Sequence, residues 1–219
     1  MAWTFTLIND EAHIRRDYAQ GNLSRDTLAQ QPLEQFEIWL QQAIADNEAD
    51  ATAMSLATVN AQGHPSVRIV LLKGHGDKGF VWYTSYASHK GRDLEVNPNA
   101  ALMFYWRESE RQVRVTGTVS RLPRDQSESY FRTRPKESQL SALASQQSQE
   151  VADRSVLEAR VRDLNVQYSN TDVPMPDNWG GYVLSPTSYE FWQGRVGRLH
   201  DRFSYEKEGE VWSIKRLQP

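Results

Sequence analysis

Residues 53–84 read AMSLATVNAQGHPSVRIVLLKGHGDKGFVWYT. Short apolar runs rich in β-branched and aromatic residues are broken here by the turn Asn60-Ala61-Gln62-Gly63 and by the glycine-bounded Gly74–Gly79. That pattern predicts three strands joined by tight turns. Two more apolar runs follow, AALMFYW at 100–106 and RQVRVTGTVSRL at 111–122, with a short helix between them over Ser88–Val96 that stops near Asn97-Pro98. Further strands are expected in GYVLSPTSYEFW and EVWSIKRL. Strands at this spacing read as an antiparallel barrel or sandwich.

Helical segments flank the strands. Residues 1–31 form an N-terminal arm with one short helix, capped by Asp10 and ended by Gly21, which places Arg15 and Tyr18 on one face. Pro32 opens a second helix whose stripe is Leu33, Phe36, Leu40, Ala43 and Ile44. Arg124–Tyr168 is helical again, with Leu157, Val161, Leu164 and Tyr168 as a stripe. Tyr130, Arg134 and Ser138 lie at steps of four, but Pro135 argues against an unbroken helix through them. ASQQSQE at 144–150 reads as a loop and PMPDNWGG at 174–181 as a connection. Residues 32–219 are expected to form a single domain.

Composition narrows the chemistry. An apolar fraction of 39% supports a sizeable core and argues against disorder. A net charge of −3 argues against a general polyanion binder, so any cationic site is local. The absence of cysteine removes thiol nucleophiles, disulfides and cysteine metal sites, and fits a reducing, cytoplasmic setting. Neither a signal peptide nor a membrane span is expected. The five histidines show no metal-ligand spacing, so no metal is expected, and no phosphate-binding glycine loop or nucleophile elbow is present.

EFWQGRVGRLHDRF at 190–203 concentrates three arginines and a histidine beside two glycines. Taken as a strand, Arg198–Phe203 would put Arg198, His200 and Arg202 on one face, about 7 Å apart step by step, facing either solvent or a planar anion. In VRIVLLK, Arg68 and Lys73 are five apart; in an unbroken strand they point to opposite faces and serve different anions, unless a bulge re-aims one of them or both sit at strand ends and reach solvent. Arg68, Lys73, Lys90, Arg134, Arg198 and Arg202 together supply an excess of phosphate-type donors. A small ligand with one or two phosphates explains them. A nucleic-acid channel with aromatic stacking platforms competes, and the negative net charge counts against it.

HIRRDY, RIVLLK, the Tyr83-Thr84 pair, ERQVRVTG, YFRTRP, the Gln147-Ser148 pair, EFWQG and RLHDRF together resemble the pyridoxamine 5′-phosphate oxidase family over nearly the whole chain. The resemblance implies a mainly β fold with flanking helices, the FMN-binding split β-barrel, as a homodimer with FMN at the interface. It implies flavin contacts from Arg68, Ile69, Val70, Leu71, Tyr83, Thr84, His89, Lys90, Gln112, Gln147, Ser148, Trp192 and Arg202. Substrate contacts would come from Arg15, Tyr18, Lys73, Tyr130, Arg134, Ser138, Arg198, Leu199 and His200, with Arg198 and His200 catalytic. The N-terminal arm becomes a candidate substrate lid. The implied reaction oxidises pyridoxamine or pyridoxine 5′-phosphate to pyridoxal 5′-phosphate, with O₂ as acceptor and hydrogen peroxide as by-product. Another split-barrel flavin oxidoreductase, or a non-catalytic binder of FMN or pyridoxal phosphate, would share much of this pattern.

One position departs from the family pattern: His89 stands where an arginine is expected just before Lys90. An imidazole gives a weaker, pH-dependent contact to phosphate. FMN affinity is therefore expected to fall as pH rises through neutrality. Flavin-fluorescence titrations across that range test this, and a flat dissociation constant would exclude it.

Overall fold

The computed structural model describes residues 18–46 and 48–219. Nine strands form one antiparallel sheet: β1 (Ala53–Val59), β2 (Pro65–Leu71), β3 (Gly74–Gly76), β4 (Gly79–Ser85), β5 (Asn99–Trp106), β6 (Arg111–Arg121), β7 (Trp179–Gln193), β8 (Asp201–Glu208) and β9 (Val211–Leu217). The order is β2-β1-β5-β6-β7-β4-β3, with β8 on β7 and β9 on β8. β7, 15 residues long, pairs with β6 on one edge. Its other edge is shared, β4 taking residues 179–184 and β8 taking 188–193. The curled, branched sheet is a split barrel.

The strands form where alternation can bury one face. β1 buries Met54, Leu56 and Thr58 and leaves the intervening residues half-exposed. α1 (Pro32–Ala45) plugs the barrel, with Pro32 in its first turn. Fully buried Phe36 meets Phe80 at 4.8 Å and Phe104 at 4.9 Å between ring centroids. The stripe differs from expectation: Trp39 is buried and Ile44 is 48% exposed, because the buried face runs through Phe36, Trp39, Leu40 and Ala43 and Ile44 falls beside it. Gly79 has φ +120, and a Cβ there would stand 1.8 Å from the Leu184 carbonyl oxygen, so this turn into β4 requires glycine.

α2 (His89–Val96) starts at a Ser88 cap, whose Oγ accepts the Gly91 amide. Pro135 breaks the following helical segment into α3 (Arg124–Thr133) and α4 (Lys136–Ala144), as expected, and α5 (Arg154–Gln167) follows the 145–153 loop. Phe131, Leu140, Val173 and Trp179 form a second small core beneath these helices. The stripe of α5 is only half-buried there.

Two expectations are corrected. Residues 18–23 are not helical, so Gly21 ends no helix; the arm is instead tied down by buried carboxylates. Glu110 Oε2 accepts the Ala19 and Gln20 amides at 2.7 and 3.0 Å, and Asp201 Oδ2 accepts the Leu23 amide at 3.1 Å. Asp10 and Arg15 lie outside the described residues. The strand expected over 198–203 begins only at Asp201. Gly197 at φ 67 and Arg198 at φ 61 are left-handed, and that turn ends any two-residue alternation before His200. Leu199 is 74% exposed, while Asp201 and Phe203 are buried.

Phe36→Ala removes the ring at the centre of this packing. The expected cost is about 3–5 kcal/mol in urea unfolding, the range for a truncated core phenylalanine; a loss below about 1 kcal/mol would mean that α1 is not part of the cooperative core.

Candidate functional site

A cleft of about 810 Å³ opens between β2, β4, the start of β7 and the α3–α4 corner. Eleven of the residues singled out from sequence line it: Ile69, Val70, Leu71, Lys73, Tyr83, Thr84, Lys90, Tyr130, Arg134, Ser138 and Gln147. Separation in sequence is bridged by the sheet. β4 lies beside β7, and the Lys73 amide donates to the Val81 carbonyl at 2.8 Å, which carries the chain from the β2 edge into the cleft.

One end of the cleft is cationic and rests on aromatic rings. Tyr83 and Tyr130 stack at 3.8 Å, and Tyr83 stacks on Trp179 at 5.5 Å. The Arg134 guanidinium lies over Trp179 at 4.8 Å and over Phe131 at 5.6 Å. Its Nη1 is buried without a hydrogen-bond partner among the described residues. Burial depresses the Arg134 pKa, offset in part by Tyr130, and burial raises the Tyr130 and Tyr83 phenols, so both are neutral donors at ordinary pH. Lys73 and Ser138 share this end. Such a set of donors in a partly dry cleft binds a phosphate-like anion.

The other end is built on α2. The Lys90 ammonium donates to Thr84 Oγ1 at 3.2 Å, and that hydroxyl donates to Gln147 Oε1 at 2.9 Å. The His89 amide donates to Ser148 Oγ at 3.1 Å, Ser148 being held at φ 70. Burial lowers the Lys90 pKa, and Arg68 lowers it further. Arg68, close enough to Lys90 to act on its charge, is held 3.9 Å from the buried carboxylate of Asp93. β2 ends at Leu71, so the strand parity of Arg68 does not extend to Lys73, which lines the cleft.

The remaining candidates gather elsewhere, at the far end of β7. Trp192 pairs with Gln112 on β6 and with Arg202 on β8. The His200 ring lies 4.7 Å from Trp192 and 5.4 Å from Tyr18. Tyr18 packs so closely on Gly194 that a Cβ there would stand 2.6 Å from its ring. Arg202 is bonded to Glu190 at 2.8 Å, which raises its pKa, so its charge already has a partner. The Arg195 amide donates to His200 Nδ1 at 3.1 Å, leaving Nε2 as the protonated nitrogen of the neutral ring. Thirteen residues of strand separate Trp179 from Trp192, or roughly 40 Å if straight. The two groups therefore lie toward opposite ends of β7.

Asp93, Trp179 and Glu110 are site elements that the sequence reading leaves as helix, connection and strand flank. Glu110 opens the ERQVRVTG stretch, but no local motif marks Asp93 or Trp179, whose contacts reach across the sheet.

His200 carries a sign that can be checked. Burial first, and Arg198 second, disfavour its imidazolium. Its NMR titration midpoint is therefore expected below the ordinary histidine value of about 6.5, rising in Arg198→Ala. Protonation then opposes folding, so the stability this group contributes is present above the unfolded-state value and is lost as pH falls through the folded-state one. A midpoint above the ordinary value would refute the geometry.

Comparison with known proteins agrees with this architecture. Residues 40–168 match the family described as pyridoxamine 5′-phosphate oxidase, and residues 179–219 match a pyridoxine 5′-phosphate oxidase C-terminal dimerisation region. A pyridoxine/pyridoxamine 5′-phosphate oxidase of Leptospira biflexa is 49% identical, covering 97% of this chain and 100% of its own. The enzyme of the same description from Idiomarina loihiensis is 52% identical, covering 94% and 98%. Among solved structures, PhzG from Burkholderia lata, in complex with tetrahydrophenazine-1-carboxylic acid, superposes with a TM-score of 0.84 at 30% identity, covering 89% of this chain and 95% of that one. An FMN-binding, oxidase-related protein from Nostoc punctiforme shares the fold, with a TM-score of 0.70 at 16% identity over 88% and 100% of the two chains. The chain belongs to the pyridoxamine 5′-phosphate oxidase family.

Proposed function

We propose that the protein is an FMN-dependent oxidase that converts pyridoxamine or pyridoxine 5′-phosphate to pyridoxal 5′-phosphate, working as a homodimer in the cytoplasm. The observation that carries the reading is the buried Nη1 of Arg134, without a hydrogen-bond partner among the described residues, in a cleft it shares with Lys73 and Ser138. An unmet donor of that kind is costly unless an anion completes it. In this reading Lys73, Tyr130, Arg134 and Ser138 hold the substrate phosphate. Lys90, His89, Arg68 and Ser148 face the flavin phosphate, while Thr84 and Gln147 offer polar contacts and Ile69, Val70, Leu71 and Tyr83 line the ring. The donor set fits FMN: a cationic end for its phosphate, an apolar edge and neutral amide and hydroxyl groups between.

The second group, Gln112, Trp192 and Arg202 toward the flavin with Arg198, Leu199, His200, Tyr18 and Arg15 toward the substrate, comes in this reading from a second copy. The length of β7 supports that assignment, as do the matched dimerisation region and the exposed apolar face of β2, where Val67, Ile69 and Leu71 are 68%, 64% and 43% exposed. Residues 1–31 are the arm that covers the substrate, and 32–219 the barrel domain.

When bound, the flavin supplies two-electron oxidation of substrate C4′, with O₂ as final acceptor and hydrogen peroxide as product. The protein's part is placement. Phosphate binding far from C4′ fixes that carbon over the ring. Arg198, held in a left-handed turn, orients the substrate and balances charge. His200, with Nδ1 occupied by the Arg195 amide, donates from Nε2.

Adding pyridoxine 5′-phosphate anaerobically is expected to bleach the bound flavin, with recovery in air. A flavin that stays yellow would point to another split-barrel flavoprotein or a non-catalytic carrier, and a protein that takes up no FMN would end the reading. Arg134→Ala should raise KM about ten- to a hundredfold, the worth of a charge-assisted bond, with flavin retained. Arg198→Ala should lower turnover far more than it weakens FMN; loss of flavin with normal turnover per flavin would reverse that assignment.

A further inference from the structure

At the α2 end of the cleft lies a polar cluster in which Thr58, Ser66 and Asp93 have no role in the reading above. Leu56 and Arg68, and likewise Thr58 and Ser66, are facing pairs in the β1–β2 register. The Arg68 Nη1 donates to the Leu56 carbonyl at 3.1 Å and to Thr58 Oγ1 at 2.7 Å, and Nη2 donates to Ser66 Oγ. Each hydroxyl passes its own proton on: Thr58 Oγ1 donates to Asp93 Oδ2 at 2.6 Å, and Ser66 Oγ donates to the same oxygen at 3.2 Å. The guanidinium and the carboxylate, 3.9 Å apart, are therefore joined through two hydroxyl bridges. From the same helix as Asp93, one turn earlier, His89 brings Nδ1 to 3.4 Å from that oxygen.

Thr58 is fully buried and Asp93 is 4% exposed. An ionised carboxylate at that depth is tolerated only when paired and hydrogen-bonded. Its partners all lie on one oxygen and on the side where Arg68, His89 and Lys90 gather. The bridges also fix the guanidinium plane more tightly than a single ion pair would, since Arg68 is held from β1, from its own strand and from α2. Two permanent cations and one anion leave a net positive site, matched to a phosphate of about −1.5 to −2.

We propose that Asp93 is a positioning residue for the flavin phosphate: through Thr58 and Ser66 it orients Arg68, and directly it orients His89. It touches neither substrate nor flavin. The proposal rests on the reading that this end of the cleft takes FMN, and the comparison of FMN with riboflavin, which lacks the phosphate, separates the two.

Dissociation constants are measured by fluorescence quenching of each flavin with the full-length protein. Wild type is expected to bind FMN much more tightly than riboflavin; equal affinities would overturn the cofactor reading itself. Asp93→Asn is expected to weaken FMN at least tenfold and to leave riboflavin within about twofold. Thr58→Val, which keeps the side-chain shape and removes one bridge, should show a smaller loss with the same selectivity, and it stands as the test if Asp93→Asn does not fold. In a double-mutant cycle with Arg68→Ala, the combined loss should be well below the product of the single losses, because Asp93 acts in part through Arg68. Unchanged FMN affinity, a parallel loss of riboflavin, or fully multiplicative losses would each overturn the role of Asp93.

Discussion

The architecture depends on one long strand with a divided edge. β7 is continuous over 15 residues, pairing with β6 along its length, but its opposite edge is given first to β4 and then to β8. Backbone hydrogen bonding forces this, because an edge of that length left bare would expose a row of unpaired amides and carbonyls. The division opens the barrel. It also places Trp179 under the cleft and Trp192 beside His200, at opposite ends of one rigid element. In the proposed reading, chemistry drawn from both ends is a property of an assembly of chains.

A second constraint is the cost of keeping cations partly dry. Arg134, Arg68 and Lys90 all have pKa values lowered by burial, so each would be costly without support. The fold supports them in three different ways. Aromatic faces carry Arg134, hydroxyl-bridged Asp93 carries Arg68, and a side-chain hydroxyl of β4 meets Lys90. Donors held this way do not reorganise when an anion arrives, so less of the binding free energy is lost in ordering them.

Much of this was legible in the sequence, for identifiable reasons. Alternation and turn residues located β1, β2, β4, β5 and β6, although the expected Gly74–Gly79 turn holds the short strand β3, and Pro135 split α3 from α4. The failures share a cause. A strand was expected through Arg198 because alternation is blind to backbone dihedral angles, and the left-handed pair Gly197–Arg198 breaks it. Asp93 and Trp179 carry no local signal, since their importance lies in partners 35 and 45 or more positions away. The division of the candidates into two distant groups was equally hidden, because it follows from the length and pairing of β7.

Ile69 and Leu71 form part of the cleft wall and, at the same time, part of the exposed apolar face of β2. A side chain with that double membership cannot serve one event independently of the other. In the proposed dimer, whatever a second copy gains by covering these residues is gained on a surface that a ligand also touches. Thermodynamic linkage then makes the two affinities reciprocal: if ligand tightens association by some factor, association tightens ligand binding by the same factor. Dilution would consequently act as a form of inhibition, loosening the ligand by taking away half of its walls.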